Sequence, residues 1–97
     1  MLNKKIIMKS IQDNLDEVKG YGIRRIGVFG SFVRSSQNEK SDIDVLVEFY
    51  PGKKSFDNYM ELKFFLEKLL HRKVDLVIKD AIKPRIKPYI LNEVLYA

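Results

Sequence analysis

Residues 30–44 read GSFVRSSQNEKSDID, a Gly-Ser pair followed, after ten intervening residues, by two aspartates that alternate with an isoleucine. The sequence is apolar on either side of this stretch, and residues 23–29 and 43–49 each predict a short strand. The Gly-Ser pair and the Asp-x-Asp pair are therefore each expected to adjoin a rigid strand. This stretch decides the fold, because it predicts a strand, a tight turn with a short helix, and a second strand.

The two aspartates, Asp42 and Asp44, open the second predicted strand. Successive side chains of a strand alternate between its faces, so Asp42 and Asp44 point the same way. A single aspartate at the start of a strand is more often a turn former. Two neighbouring carboxylates repel each other, and a hard divalent cation such as Mg²⁺ between them makes the arrangement favourable. The pair therefore predicts a metal site.

The Gly-Ser pair predicts a site for phosphate. A glycine at the end of a strand lets the chain turn sharply and lets a bulky anion approach the main chain. Ser31 is expected to cap a short helix that runs to about Ser35, whose free N–H groups suit a triphosphate. Arg34, one turn along, could add its guanidinium to the same phosphates. We therefore expect Gly30, Ser31 and Arg34 to bind the nucleotide.

A third acidic residue, Asp75, lies within residues 73–78, which predict another short strand. The apolar residues of this strand share one face, and Asp75 occupies the other. It is therefore expected to lie beside Asp42 and Asp44 on a neighbouring strand. Two-metal phosphoryl transfer uses carboxylates around ions roughly 3.5–4 Å apart. The three aspartates are predicted to be catalytic and to bind two Mg²⁺ ions.

The Gly-Ser pair, the ten-residue spacer, the Asp-x-Asp pair and the later acid resemble the signature of the minimal nucleotidyltransferases of the DNA polymerase β superfamily. The resemblance covers nearly the whole chain, because Asp75 falls where that family keeps its third acid. One position departs from the pattern, since many relatives have glycine where this chain has Ser35. Within the superfamily, the short single-domain chain is similar to the MntA-type antitoxins, which are encoded beside a HEPN-domain ribonuclease toxin.

The resemblance implies a protein adenylyltransferase that uses ATP and Mg²⁺. It would transfer AMP to a tyrosine hydroxyl of the HEPN-domain toxin, release pyrophosphate, and silence the toxin. Two alternatives remain open. A binding-only antitoxin would mask its toxin by contact, which the complete set of three acids disfavours. Transfer to a small molecule or to RNA is the other alternative, although relatives with those acceptors generally carry an added domain.

Composition sets the outer bounds. The chain has 97 residues, 18 Lys and Arg against 13 Asp and Glu, a net charge of +5 and no cysteine. This length predicts one domain over residues 1–97, too small to include a separate acceptor domain, so a partner protein is expected to supply the acceptor. With no apolar run near the roughly 18 residues of a membrane span, we expect a cytoplasmic protein without a membrane partner. The basic residues are dispersed, so direct nucleic-acid binding is not expected.

The rest of the sequence supplies helices. Apolar residues at helical spacing predict a first helix over residues 3–19. Ser55 is expected to cap another helix, and a final short helix after Pro88 is expected to close the core with its apolar side. Together with the three strands, these helices predict an α/β domain with a small mixed sheet backed by helices. The resemblance implies the same architecture, a polymerase β-like nucleotidyltransferase core.

Overall fold

A mixed four-stranded sheet forms the centre of the structure, which is a computed structural model that describes residues 2–97. The helices and strands follow in the order α1 (Lys4–Asp13), α2 (Leu15–Gly20), β1 (Ile23–Phe29), α3 (Ser31–Arg34), β2 (Ile43–Phe49), α4 (Phe56–Leu70), β3 (Val74–Ile78), a 3-10 turn (Lys79–Ala81), α5 (Lys87–Glu93) and β4 (Leu95–Tyr96). Within this part of the chain, no helix is both long and apolar enough to cross a membrane.

The strands lie in the order β3-β2-β1-β4. β1 pairs with β2 and with β4 in antiparallel orientation, whereas β2 and β3 are parallel. A parallel pair requires a crossover connection, and α4 provides it between β2 and β3. The predicted small mixed sheet backed by helices is confirmed, and the first two strands begin and end at the predicted residues.

The two faces of the sheet bury different amounts of apolar surface. One face packs against α1, α2 and α4 and forms the main core, which includes Ile7, Val45 and Leu66. The other face carries a smaller cluster of Phe29, Leu46 and Ile82. Because β2 is central, its side chains are buried alternately on both faces, as its apolar sequence requires. The smaller cluster covers only part of the second face, which leaves room for a site there.

The predicted single helix over residues 3–19 is wrong, because the chain forms two helices that meet at Asn14. The Asn14 backbone leaves the helical region, with φ −121° and ψ 22°. Its side-chain amide donates to the carbonyl oxygen of Ser10 at 2.7 Å, so the asparagine replaces a helical hydrogen bond with a local one. The change of direction allows Ile11 on α1 and Val18 on α2 to be buried in the same core.

The C-terminal segment closes the second face. The last helix, α5, begins at Lys87 with Pro88 in its first turn, whereas the helix was predicted to begin after Pro88. Ile90, Leu91 and Val94 pack against the smaller cluster, in agreement with the predicted role in the core. The sequence did not predict β4, whose partner strand is β1. The centroid of its Tyr96 ring lies 3.5 Å from the Arg25 guanidinium carbon. This cation–π contact stabilises the short strand.

Candidate active site

Two of the three predicted acidic residues meet on the second face of the sheet. The parallel register of β2 and β3 places Asp44 directly opposite Asp75. Neighbouring strands lie about 4.8 Å apart, so the two carboxylates are immediate neighbours. Asp42 precedes β2 by one residue and is exposed to solvent. The structure thus brings all three acidic residues to the same end of the β2–β3 pair.

The acidic residues strongly perturb Asp44. Burial is the largest cause that raises the pKa of Asp44 to about 6, and repulsion from Asp75 and Asp42 raises it further. The positive charge of Arg34 opposes this shift, whereas a hydrogen bond with Asp75 favours the protonated form. The ionised form of Asp44 is therefore disfavoured by its burial and by repulsion from the neighbouring carboxylates. A bound cation would relieve this repulsion.

The donor chemistry of the site fits a hard divalent cation. Carboxylate oxygens are the ligands that Mg²⁺ prefers, and Asp44 and Asp75 offer them from two rigid strands. Among residues 2–97, no three acidic, histidine or cysteine side chains are already drawn together closely enough to hold one ion. The arrangement is thus an adjacent acidic pair with Asp42 at its margin, and the predicted two-ion site stays a prediction.

The turn after β1 is built around a glycine, and its backbone conformation and surroundings disfavour any side chain there. Gly30 has φ 80° and ψ −151°, a conformation that side chains disfavour. A Cβ atom at this position would overlap the carboxylate oxygen Oδ2 of Asp44. The register explains this proximity, because Phe29 lies opposite Asp44 across β1 and β2. The two halves of the sequence motif are therefore in direct contact.

Ser31 is the first residue of α3. The residue at the N-cap position is Gly30, and no side chain caps this helix, so the expectation that Ser31 acts as the cap is wrong. The helix ends at Ser35, which adopts the left-handed conformation with φ 59°. Ser35 thus takes the backbone conformation that glycine favours. The departure from the family pattern therefore preserves the geometry of the turn.

Glu93 is a residue of the site that sequence reasoning missed. Its carboxylate accepts hydrogen bonds from Arg34 Nη1 at 2.9 and 3.0 Å and from the Gly30 N–H at 2.8 Å. The contact joins two predicted phosphate-binding residues to α5. Glu93 lies 59 residues beyond Arg34 in the sequence, and no local pattern marks it. Only the folded chain brings it to the motif.

An open cleft of about 360 Å³ runs along this arrangement. One wall comes from the motif and the other from the C-terminal segment, and the lining residues are Phe29, Gly30, Arg34, Asp44, Ile86, Tyr89, Ile90 and Glu93. A larger hollow of about 540 Å³ lies between the start of α4 and β3, but none of its lining residues is acidic. The cleft at Asp44 is therefore the candidate active site.

The glycine turn, the acidic pair and the mixed sheet together define a class, the enzymes that transfer nucleotides. A family model described as "Nucleotidyltransferase domain" matches residues 7–97. The chain belongs to this nucleotidyltransferase family.

Among its relatives is protein adenylyltransferase MntA of Thermococcus cleftensis, which is 46% identical over 76 residues, 78% of this chain and 76% of that protein. A solved minimal nucleotidyltransferase has a TM-score of 0.84 and 31% identity, and the match covers 97% of this chain and 95% of that one. A chain of a toxin–antitoxin structure solved with AMP-PNP has a TM-score of 0.68 and 25% identity, over 98% of this chain and 72% of that chain. The resemblance to the minimal nucleotidyltransferases is thereby confirmed.

Proposed function

We propose that this chain is the antitoxin of a toxin–antitoxin pair and transfers AMP from ATP to a tyrosine hydroxyl of a HEPN ribonuclease toxin, which it thereby silences. The observation that carries the proposal is the alignment of Asp44 with Asp75 beside the Gly30 turn. The 46% identity to a protein adenylyltransferase supports a protein as the acceptor. AMP-PNP in a related toxin–antitoxin structure supports ATP as the nucleotide. The pair would act in the cytoplasm, where ATP is available.

The phosphates of ATP would lie against the turn after β1. The N–H groups of Ser31 and Phe32 have no partner within the helix by virtue of their position, whereas the next two N–H groups donate to the carbonyl oxygen of Gly30. The first two can therefore donate to phosphate oxygens, while Gly30 keeps the main chain accessible. Arg34 commits one guanidinium nitrogen to Glu93, and its other N–H groups remain for the phosphates.

The acidic residues would bind two Mg²⁺ ions, with Asp42 and Asp44 contacting both and Asp75 contacting one. When bound, these ions would neutralise charge on the phosphates and lower the pKa of the acceptor hydroxyl. Asp75, which is exposed, would receive the phenolic proton. The tyrosine oxygen would attack the α-phosphorus in line, the bond to the bridging oxygen would break, and pyrophosphate would leave.

The test is neutralisation of a HEPN toxin encoded beside this gene, in cells that express both proteins. The wild-type chain is expected to restore growth, and Asp42→Ala/Asp44→Ala is expected to fail although it still co-purifies with the toxin. A matched control, Asp57→Ala/Asp80→Ala, removes two exposed aspartates that lie outside the cleft and should neutralise normally. Neutralisation by Asp42→Ala/Asp44→Ala would instead show that the antitoxin masks its toxin by contact alone.

A further inference from the structure

Glu93 is the last residue of α5, and the packing of its neighbours holds it in place. The residues around it in sequence, Ile90, Leu91 and Val94, pack against the apolar cluster of the second face. The side chain of Glu93 is only 24% exposed, and its carboxylate accepts all three of the hydrogen bonds from Gly30 and Arg34. These bonds are short, between 2.8 and 3.0 Å. The helix therefore presents a fixed carboxylate to the turn that precedes α3.

We propose that Glu93 is a positioning residue for the nucleotide, which holds the Arg34 guanidinium in the orientation that receives the triphosphate, while the bond from the Gly30 N–H fixes Glu93 itself. The inference rests on the proposed function, because it assigns Arg34 to the phosphates. A free arginine side chain samples many rotamers, and ordering it when a ligand arrives weakens binding. Glu93 orders Arg34 in advance, so that ordering is complete before ATP arrives.

The ion pair with Glu93 leaves Arg34 with N–H donors that can bind phosphate. Glu93 engages a single nitrogen, Nη1, with both of its carboxylate oxygens. The guanidinium has five N–H donors, so anchoring one nitrogen restrains the group and leaves donors for phosphate oxygens. Arg34 also lines the cleft beside Asp44. The arginine thus bridges the carboxylate of α5 and the space that the phosphates would occupy.

An alternative role for Glu93 predicts the opposite change in nucleotide affinity when its charge is removed. If the Glu93 carboxylate occupied the position of a phosphate group, ATP would have to displace that carboxylate. Removal of the Glu93 charge would then tighten ATP binding. The packed neighbours of Glu93 and its bond to the Gly30 N–H favour a fixed support instead. The two roles are therefore separated by the direction in which nucleotide affinity changes.

The experiment measures the Kd of Mg·AMP-PNP by calorimetry for the full chain and its variants. Glu93→Ala is expected to weaken binding about tenfold, the effect of losing one charge-assisted interaction. Arg34→Ala should weaken binding at least as much, and the double variant should bind no more weakly than Arg34→Ala, because Glu93 acts through Arg34. Glu93→Gln keeps one acceptor oxygen and should recover part of the affinity. Asp80→Ala, which removes an exposed carboxylate outside the cleft, should bind normally.

The outcomes separate this inference from the proposed function. Unchanged or tighter binding by Glu93→Ala, or additive losses in the double variant, would overturn the positioning role while normal binding by the wild type leaves the proposed function standing. Failure of the wild type to bind Mg·AMP-PNP would overturn the proposed function itself, and the positioning role with it. Thermal unfolding of each variant accompanies the titration, because a merely structural loss would lower Tm without making the effect depend on Arg34.

Discussion

Gly30 and Asp44 show at the residue scale how the motif depends on contact between its two halves. Gly30 leaves β1 at the level of the Asp44 carboxylate, so the smallest side chain is the one that fits. The sequence analysis assigned Gly30 one role, which is to let an anion approach the main chain. The structure adds a second requirement, space for the chain's own acidic residue. The same crowding contributes to the burial that raises the pKa of Asp44.

Gly30→Ala is expected to lower nucleotide transfer more than tenfold and the free energy of unfolding by about 1–3 kcal/mol, because it combines backbone strain with a clash. The matched control is Gly52→Ala, since Gly52 has φ 78° but nothing lies within 4 Å of the added Cβ atom. The control should lose only the strain and should keep its activity. Equal activity in the two variants, measured by AMP transfer and urea unfolding, would contradict the role given to Gly30.

Asp44→Asn is expected to make the metal-free protein more stable at neutral pH. The pKa of Asp44 is raised from 3.8 to about 6 in the folded chain, so the unfolded chain loses its proton first and stability falls as pH rises between these values. Asparagine stays neutral, so the variant should gain about 1 kcal/mol near pH 8, a figure reduced for partial exposure. The gain should vanish below about pH 3, where Asp44 is protonated in the folded and unfolded states alike.

Urea unfolding in the presence of a chelator, at both pH values, measures this difference. Mg²⁺ should stabilise the wild type and should have less effect on Asp44→Asn, because the cation needs the carboxylate. A wild type as stable as the variant at both pH values would show that the acidic residues do not strain the fold.

At the scale of the elements, the parts with a local pattern were predictable and the parts made by distant contacts were not. β1, β2 and the Ser55 cap of α4 follow from alternation and capping chemistry, and the Ser55 hydroxyl accepts from the N–H of Asn58 as expected. β4 has only two residues and exists through its pairing with β1. The break at Asn14 depends on one side chain within an otherwise helical pattern.

The candidate site also combines residues that local sequence patterns predict with one that only the folded chain brings in. The glycine turn and the Asp-x-Asp pair are local features, and the parallel pairing of β2 and β3 adds Asp75 to them. Glu93 reaches the turn only because α5 folds back over the second face. A single sequence holds no record of that contact, so this residue could not have been predicted from local spacing.

Ser35→Gly is expected to stabilise the protein, because Ser35 ends α3 in the left-handed region with φ 59°. Relief of roughly 1 kcal/mol of strain should exceed the extra freedom that glycine gives the unfolded chain, for a net gain of about 0.5 kcal/mol. The control is Ser36→Gly, since Ser36 is not among the residues with positive φ and should be destabilised slightly. If urea unfolding shows a loss for Ser35→Gly, the conformation given to this turn is wrong.

At the scale of the whole molecule, the sheet divides its two faces between stability and chemistry. One face is covered by three helices and carries most of the apolar core. The other is closed by α5 and leaves a cleft of about 360 Å³ beside Asp44. The cleft is open to solvent beside Asp44. Under the proposed function, a partner protein would present its hydroxyl group to the site through this opening.

The measurement that tests the central claim most directly is the intact mass of the HEPN partner after incubation with this protein, ATP and Mg²⁺. The wild-type chain should add one or more AMP units to the partner, and Asp42→Ala/Asp44→Ala should add none. No mass gain with the wild type, while a stable complex still forms, would contradict adenylylation and leave inhibition by binding as the function of the chain.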